Sequence, residues 1–375
     1  MLSLLLALAP LPWVEGGGPP KALPQEPLPG LTLSLPGLVR AEYLGNGHLE
    51  AAYLLLQVPE GEDKPPILLR LAQEAVRGAL ASRPSLGEVD VALYPAPYRG
   101  PVVLPLFTAS VPKARAGEFL ALKEPQGYER LWLNPGVRQE RPLEPLLEDH
   151  PRYEGPEAHR AKERAEQLLA SRVGFRGSVL YHGDPTRPYA ALTFDDAPHP
   201  LFTPLLLDLL RRLGLKATFF VIGRNAEAYP YFVRDLVAAG HEVGNHTYHH
   251  VRLPGLPEAE VRQELLRGNQ VLQGITGEAP RYFRPPGGRY DRTVLRVARE
   301  LGLTTVFWTD DPGDYAGLPL AVLEGRLEAH LRPGGIVLLH DNVPGTLRVL
   351  PLFAKKAQER GLRLGTVGGL LLARR

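Results

Sequence analysis

The sequence predicts an α/β protein: a small α+β module followed by a parallel sheet covered by helices, either open or closed into a barrel. From about Tyr189 onward, apolar strand patterns and helical patterns alternate about seven times, which is typical of parallel sheets. In the first half, an Asn46-Gly47 turn between two apolar runs predicts a β-hairpin. Hydrophobic residues make up 44% of the 375-residue chain and charged residues 22%, so the chain can bury a large core in two domains.

Composition excludes several classes of function. Lys and Arg total 43 against 41 Asp and Glu, a net charge of +2, which lacks the basic surplus of a nucleic-acid-binding protein. Cysteine is absent, which excludes disulfides, thiolate zinc sites and cysteine nucleophiles. No later stretch is long and apolar enough for a transmembrane helix. We therefore expect neither a nucleic-acid partner nor an integral membrane protein, and the sequence indicates no oligomeric state.

The N-terminal segment, MLSLLLALAPLPWV, is shorter than a membrane span and resembles the apolar part of a signal peptide. Ala7-Leu8-Ala9 resembles a cleavage site, although no Lys or Arg precedes Lys21 and Pro10 follows the site directly. We interpret residues 1–15 as a signal peptide and expect an extracytoplasmic protein, secreted or associated with the cell envelope. A hydrophobic tail or a mis-set start codon is the alternative.

The remaining chain is divided by composition and periodicity. Residues 16–36 are rich in Gly and Pro and predict a linker. Residues 37–136 predict the small module: the hairpin, a helix over Pro65–Ser82, and strands at 89–94, 102–109, 119–122 and 131–133. This module contains no cluster of titratable residues, so we expect it to be dispensable for chemistry. Residues 137–186 predict a linker with a helix at 157–171, and residues 187–375 predict the larger β/α domain.

Within this β/α domain, the strands are predicted from short apolar runs and the helices from their capping signals. Thr203-Pro204 is typical of a helix start, and Gly214, Gly240 and Gly302 are typical helix stops. The predicted strands are 190–194, 217–222, 242–245, 282–283, 304–308, 336–339 and 362–367. The predicted helices are 203–214, 229–240, 258–274, a segment through 294–301, 320–330 and 347–360.

Polar groups follow five of these strands, at the edge where parallel β/α folds place their active residues. The groups are Asp195-Asp196, His246 with His250, Arg284 to Gly288, Asp311 with Asp314, and His340-Asp341. A single polar residue after a strand is ordinary, whereas five groups rich in Asp and His indicate an active site.

The spacing of His246 and His250 predicts a metal site. On a helix, residues four apart share one face, so both imidazoles would reach one ion, with His249 pointing elsewhere. A lone pair of this kind is more often a surface or core feature. Two His with one strand-end carboxylate, Asp196, leave coordination positions open, as catalytic metal sites do.

The other strand-end residues predict proton transfer. Neighbouring side chains of a strand point to opposite faces, so Asp195 could accept a proton from water while Asp196 binds metal; an Asx turn is the alternative. Arg284 could hold Asp195 through two parallel hydrogen bonds. His340 is a candidate general acid, and a packed strand-end histidine is the alternative.

Five ordered motifs resemble those of the polysaccharide deacetylases, the NodB-homology proteins of carbohydrate esterase family 4. They are TFDDAP, HTYHH, RPPGG, DPGDY and IVLLHD, and the resemblance spans residues 188–367 without the N-terminal module. It implies a distorted (β/α) barrel of about seven strands. It also implies hydrolysis of N-acetyl groups from an N-acetylglucosamine glycan, peptidoglycan or chitin-like, with release of acetate. The implied cofactor is one divalent ion, Zn²⁺, with Co²⁺ and Mn²⁺ as alternatives.

The resemblance also implies roles for single residues. Asp195 resembles the catalytic base and Arg284 its partner; His340 resembles the general acid and Asp314 the carboxylate that tunes it. The implied metal ligands are Asp196, His246 and His250. The residues assigned to oxyanion or substrate contact are Gly287, Tyr315 and Trp308.

Three positions depart from the family pattern. Ala197 stands in place of Gly, Gly287 in place of Tyr and Tyr315 in place of Trp. Gly287 retains the backbone N–H that the family uses at the oxyanion, and Tyr315 remains aromatic. Two other functions stay open on the sequence alone: a non-catalytic glycan-binding protein, and a hydrolase of another C–N bond in a small soluble substrate.

Overall fold

A computed structural model describes residues 27–100, 103–136 and 174–372. The first part forms a five-stranded sheet in the order β1-β2-β3-β4-β5, in which only β2 and β3 pair in parallel. Helix α1 (Pro65–Ser82) packs on it, and a short helix α2 (Ala116–Leu120) follows β4. The strands are β1 (Leu38–Gly45), β2 (Glu50–Val58), β3 (Glu88–Pro95), β4 (Phe107–Pro112) and β5 (Leu131–Leu133).

The predicted hairpin is confirmed, and its turn has a clear cause. The Asn46 side chain accepts hydrogen bonds from the backbone N–H groups of His48 (2.9 Å) and Leu49 (2.8 Å), which closes an Asx turn. The strand predicted at 119–122 is wrong, because residues 116–120 form a helix that buries Phe119 in the module core. The signal-peptide segment and the helix predicted at 157–171 lie outside the described residues.

Part of the predicted linker, residues 16–36, pairs with the module. Gly30 forms an antiparallel bridge with Glu42, and the Leu31 N–H donates to the Ala41 carbonyl at 2.9 Å. Its leucines pack partly buried against the two neighbouring cores. Residues 28–35 therefore form an edge of the module.

The second part is the distorted barrel that the sequence resemblance implied. The sheet order is β13-β8-β9-β10-β11-β12-β7-β6, with β14 also on β8, and every pair is parallel except β6 with β7. A parallel bridge from Asp310, just after β12, to Val337 in β13 closes strands β8 to β13 into a ring, with β7 and β6 continuing the sheet beyond β12. The strands are β6 (Phe175–Arg176), β7 (Val179–Leu180), β8 (Tyr189–Ala197), β9 (Thr218–Val221), β10 (Glu242–Asn245), β11 (Tyr282–Phe283), β12 (Thr304–Val306), β13 (Ile336–His340) and β14 (Arg363–Gly365).

Helices cover this ring, and most lie where the sequence predicts them. They are α3 (Phe202–Leu213), α4 (Gly223–Ala228), α5 (Pro230–Ala238), α6 (Glu258–Thr276), α7 (Arg292–Glu300), α8 (Leu320–His330), α9 (Pro344–Glu359) and α10 (Val367–Leu372). Thr203 is not the helix cap, because α3 begins one residue earlier and the buried Thr203 hydroxyl bonds the Asp341 carboxylate. Strands β6 and β7 extend the barrel sheet before residue 187, where the predicted domain begins. In the part of the chain that the structure describes, no helix has the length and apolarity to cross a membrane.

The module and the barrel share one hydrophobic core. Buried side chains on one face of β2 and β3, among them Tyr53 and Tyr94, pack in the same cluster as Leu201 and Phe202 of the barrel. Polar contacts join the same surfaces: Asn46 Nδ2 donates to the Leu205 carbonyl at 2.8 Å. The module therefore packs directly against the barrel, beside the segment that follows Asp196.

Because of this shared core, we expect the barrel to depend on the module for its stability, even if the module is dispensable for chemistry as the sequence predicts. A chain lacking residues 1–136 is expected to expose the apolar surface of α3 to water and to lose stability. We expect it to unfold at a lower temperature than the full chain, or to aggregate, as measured by circular dichroism and light scattering. A soluble truncation with an unchanged melting temperature would contradict this prediction.

Asp90 in β3 is a buried carboxyl group that costs the fold stability. Its side chain is fully buried, and neither oxygen has a hydrogen-bond partner among the described residues. Burial, reinforced by the neighbouring Glu88 carboxylate, raises the pKa of Asp90 well above 3.8. The folded state therefore binds this proton more tightly than the unfolded state, and stability is lost as pH rises above about 4.

Asp90→Asn is expected to stabilise the protein by about 1–3 kcal/mol at neutral pH, because a neutral amide costs less to bury than an unpaired carboxylate. The gain should grow from pH 4 to pH 8 in urea unfolding. Asp235→Asn is the matched control, since Asp235 is paired with Arg130 and its loss should bring no such gain. A stabilisation by Asp90→Asn that does not vary with pH would contradict the assignment.

Candidate active site

The predicted polar groups converge at the carboxyl ends of β8, β10, β11 and β13. Asp195 and Asp196 are the seventh and eighth residues of β8, and the Asp341 N–H donates to the Asp195 carbonyl at 2.9 Å. This hydrogen bond continues the parallel pairing of β8 with β13. The sheet itself thus brings the aspartate pair next to His340.

Arg284 is the fixed partner of Asp195. Its guanidinium is completely buried, and Nη1 donates to Asp195 Oδ1 at 2.7 Å and to Thr193 Oγ1 at 2.9 Å. Nε donates to the Val306 carbonyl at 3.2 Å, and the group lies 4.1 Å over the Phe220 ring. The predicted pair of parallel bonds is wrong, because a single nitrogen serves Asp195. The second oxygen, Oδ2, is left 3.7 Å from His246 Nε2.

Three side chains form a group whose geometry suits a metal ion. One ligand atom each from Asp196, His246 and His250 lies within 4.8 Å of the others. Asp196 Oδ1 is 3.2 Å from His250 Nε2 and 3.6 Å from His246 Nε2. This oxygen is buried and accepts no hydrogen bond from the described residues. One carboxylate and two imidazoles are the donor set of a catalytic zinc site, so the residues fit the predicted ion.

The protonation of these groups also suits a cation. His246 Nδ1 lies 2.7 Å from the Arg284 carbonyl; as a donor there, it leaves the Nε2 lone pair free. Burial lowers the pKa of His250 to about 4, which keeps the imidazole neutral. Burial opposes the ionisation of Asp196, but nearby positive charge, including that of protonated His340, holds its pKa below the ordinary value. Metal ligands must be deprotonated in this way.

The backbone that presents this group is not helical, so the helical-face explanation for His246 and His250 is wrong. His246 directly follows β10, and the bend after it returns His250 to the cluster. Asn245 Oδ1 accepts from the Thr247 N–H at 2.7 Å, and Thr247 Oγ1 accepts from the His250 N–H at 3.0 Å. Thr247 and His250 have φ of 66° and 60°.

The expectation that Asp195 and Asp196 point to opposite faces is also wrong. Asp196 has φ of 70°, and the pairing of β8 with β9 shifts register between Phe194 and Ala197. Regular alternation of side chains therefore ends at Asp195, and both carboxylates approach His246. His249 does point elsewhere: its N–H and its Nδ1 lie 2.9 Å and 2.6 Å from the Glu264 carboxylate.

His340 is held by Asp314. Its Nδ1 lies 2.8 Å from Asp314 Oδ1, and its backbone N–H donates to Asp314 Oδ2 at 2.7 Å. Thr346 Oγ1 donates to the same Oδ2 at 2.5 Å, and the Tyr315 ring lies edge-on to the imidazole, 5.1 Å away. Burial lowers the pKa of His340, but Asp314 outweighs it and raises the pKa to about 10. The side chain is therefore an imidazolium at neutral pH.

The residues assigned to oxyanion or substrate contact lie around this centre. Gly287 has φ of 59° in the turn Pro286–Gly288 that follows β11. Trp308 is buried, 5.5 Å from the Arg284 guanidinium, and Tyr315 packs against His340. Asp311 accepts from the Gly313 N–H at 3.0 Å, whereas the carboxylate described as bonding His340 is that of Asp314. The substrate roles of Gly287, Trp308 and Tyr315 remain predictions.

Sequence reasoning missed three polar residues that support the site. Thr193 contacts Arg284, Thr346 contacts Asp314, and Asn342 donates to Asp196 Oδ2 at 3.0 Å. The position of Thr193 could have been predicted from the sequence, because it lies two residues before Asp195 on the same strand face. The other two act across the loop after β13, which the sequence pattern does not specify.

Known proteins resemble the barrel part of the chain. Residues 182–306 match the family model described as polysaccharide deacetylase. A peptidoglycan-N-acetylglucosamine deacetylase of Bacillus cereus is 34% identical over 209 residues, covering 54% of this chain and 98% of that protein. A chitooligosaccharide deacetylase of Sinorhizobium fredii is 40% identical over 158 residues, covering 42% and 74%.

Solved structures resemble the same part. A peptidoglycan N-acetylglucosamine deacetylase in complex with a naphthalenyl benzamide superimposes with a TM-score of 0.51 at 30% identity, over 52% of this chain and 93% of that one. A pseudoenzyme of carbohydrate esterase family 4 from Bacillus anthracis gives 0.50 at 31% identity, over 52% and 69%. The similarity thus includes active and inactive proteins.

Proposed function

The chain belongs to the polysaccharide deacetylase family and is a hydrolase of carbon–nitrogen bonds, and from this premise we propose its substrate and mechanism. It removes N-acetyl groups from an N-acetylglucosamine glycan, peptidoglycan or a chitin-like polymer, outside the cytoplasm. The observation that supports this proposal is that two candidate proton carriers, each bonded to a charged partner, lie beside the proposed metal ligands. The pairs are Asp195 with Arg284 and His340 with Asp314, and the ligands are Asp196 and the two histidines.

Each proton carrier is placed for the proton transfer that amide hydrolysis needs. Asp195 Oδ1 is bonded to the buried Arg284 guanidinium, so the second oxygen, Oδ2, is available to accept the proton of the attacking water. His340 is an imidazolium at neutral pH, so it can protonate the leaving nitrogen and release an amine and acetate. The backbone N–H of Gly287 is our candidate donor to the developing oxyanion.

The ligand group supplies the remaining chemistry. Asp196, His246 and His250 would hold one divalent ion, for which we propose Zn²⁺. Such an ion acts as a Lewis acid toward a carbonyl oxygen and lowers the pKa of water. Asp195 is not among these proposed ligands, and its Oδ1 is bonded to Arg284.

Release of acetate tests the proposal. The full-length protein should release acetate from peptidoglycan or from chitooligosaccharides, lose this activity with a chelator, and regain it with added Zn²⁺. Comparing the two substrates identifies the glycan. Absence of acetate from both, with metal bound, would favour a non-catalytic glycan-binding role, as the resemblance to a pseudoenzyme allows.

Metal content tests the ligand set separately from activity. We expect about one equivalent of divalent ion per chain in the wild type and a strong loss in His246→Ala and His250→Ala, because each removes one of three ligands. Elemental analysis of the purified proteins provides the measurement. His249→Ala is the matched control and should retain the ion, since His249 is bonded to Glu264. Equal metal content in all four proteins would refute the site.

A further inference from the structure

Asn342 lies just beyond the last of the five motifs and contacts the ligand group. It follows Asp341 in the loop between β13 and α9, and its Nδ2 donates to Asp196 Oδ2 at 3.0 Å. The two residues are 146 positions apart in the chain. Among the described residues, this is the hydrogen bond that the structure gives to the Asp196 carboxylate.

With this bond in place, the two oxygens of the Asp196 carboxylate have different partners. Oδ2 is held by the amide, and Oδ1 is the oxygen that faces His250 and His246. A carboxylate with both oxygens free can rotate about its terminal bond, because such torsions are broad. With Oδ2 held, rotation that would turn Oδ1 away from the two imidazoles costs a hydrogen bond.

The strength of the bond follows from charge and burial. The acceptor is an ionised carboxylate on a side chain that is 3% exposed, and hydrogen bonds to ionised acceptors are the stronger kind. Groups that orient metal ligands from behind in this way commonly affect metal affinity by 10–100-fold.

We propose that Asn342 is a positioning residue that sets the affinity of the site for its divalent ion by fixing the orientation of the Asp196 carboxylate. The proposal rests on the proposed metal site. It concerns a residue outside the motifs TFDDAP, HTYHH, RPPGG, DPGDY and IVLLHD, and it assigns Asn342 no contact with substrate.

The test measures Zn²⁺ binding to the metal-free, full-length protein, without substrate, by competition with a chromophoric chelator. Asn342→Ala and Asn342→Leu both remove the donor, the first with loss of volume and the second with similar volume. Each should raise the Kd for Zn²⁺ by about 10–100-fold. In Co²⁺-loaded protein, each should also change the visible absorption spectrum, which reports ligand geometry.

Thr346→Val is the matched control. It removes a hydroxyl in the first turn of α9 that bonds a different carboxylate, Asp314, so it should leave the Kd for Zn²⁺ unchanged. A general disturbance of the β13–α9 connection would instead weaken Zn²⁺ binding in all three variants, and that outcome would overturn the proposal.

The other possible results also test the proposal. Unchanged affinity for Zn²⁺ in Asn342→Ala overturns it. A loss of Zn²⁺ affinity confined to Asn342→Leu also overturns it, because the effect would then come from side-chain shape. If Asn342→Leu does not fold, Asn342→Ala alone decides. If the wild type binds no Zn²⁺, the metal site fails and this role fails with it. If the wild type binds Zn²⁺ and both variants match it, only the role of Asn342 fails.

Discussion

Asp195→Asn should reduce kcat for acetate release by about 10²–10⁴-fold, the usual contribution of a positioned general base. The amide retains the shape of the carboxylate and still accepts from Arg284 through its oxygen, but its nitrogen cannot take a proton from water. Steady-state kinetics on chitooligosaccharides provide the measurement, with metal content determined on the same sample.

Two companion measurements separate base chemistry from structure. Asp195→Asn should keep its metal, because Asp195 Oδ1 is bonded to Arg284 and the residue is not a proposed ligand. Thr193→Val removes a neutral contact of Arg284 and should cost much less activity than Asp195→Asn. Full activity in Asp195→Asn would place the base elsewhere.

His340→Ala should lower kcat by a similar factor of about 10²–10⁴ at neutral pH, because the leaving nitrogen loses its proton donor. In the wild type the donor is present while His340 is protonated, and the pKa near 10 places its loss on the alkaline side. Activity should therefore fall as pH rises through this value.

Asp314→Asn tests whether the Asp314 carboxylate causes the high pKa of His340, and therefore the pH at which activity falls on the alkaline limb of the profile. Without the carboxylate, burial is left to lower the pKa of His340, so the limb should move by about 1–3 pH units toward neutrality. Asp311→Asn is the control and should leave the limb in place, because the hydrogen bonds described for His340 go to Asp314. If Asp311→Asn moved the limb and Asp314→Asn did not, the pairing would be assigned to the wrong aspartate.

The sequence predicts the barrel well because strands such as β8, β9 and β13 are apolar runs, and a glycine follows the end of α3, α5, α6, α7 and α9 within two residues. Strands β6 and β7 were missed because they have two residues each and no helix separates them, whereas the equally short β11 lies between two predicted helices. The shared core was missed too, although β2 contained a signal. Residues 51–56 are apolar on both faces and all are buried, whereas a strand of an isolated two-layer module would alternate.

From the sequence, strand order predicts that the residues of the candidate site lie together, but it does not predict the geometry in which they meet. Parallel strands bring their carboxyl ends together whatever their loops do, so Asp196, His246 and His250 could be grouped from strand order alone. How they meet depends on the backbone at Asp196 and Thr247 and on the Asn245 side chain, which spacing does not reveal. The role of Asn342 depends on a contact across 146 residues.

The left-handed backbone at the site has a consequence for protein engineering. Among the described residues, the non-glycine positions with positive φ are Asp196, Thr247 and His250, and such conformations cost about 1–3 kcal/mol each. A thermostabilisation campaign guided by backbone preference would replace these three residues with glycine first. Two of them are proposed ligands, and the third holds the bend between the histidines. The same substitutions would therefore raise thermal stability and reduce activity.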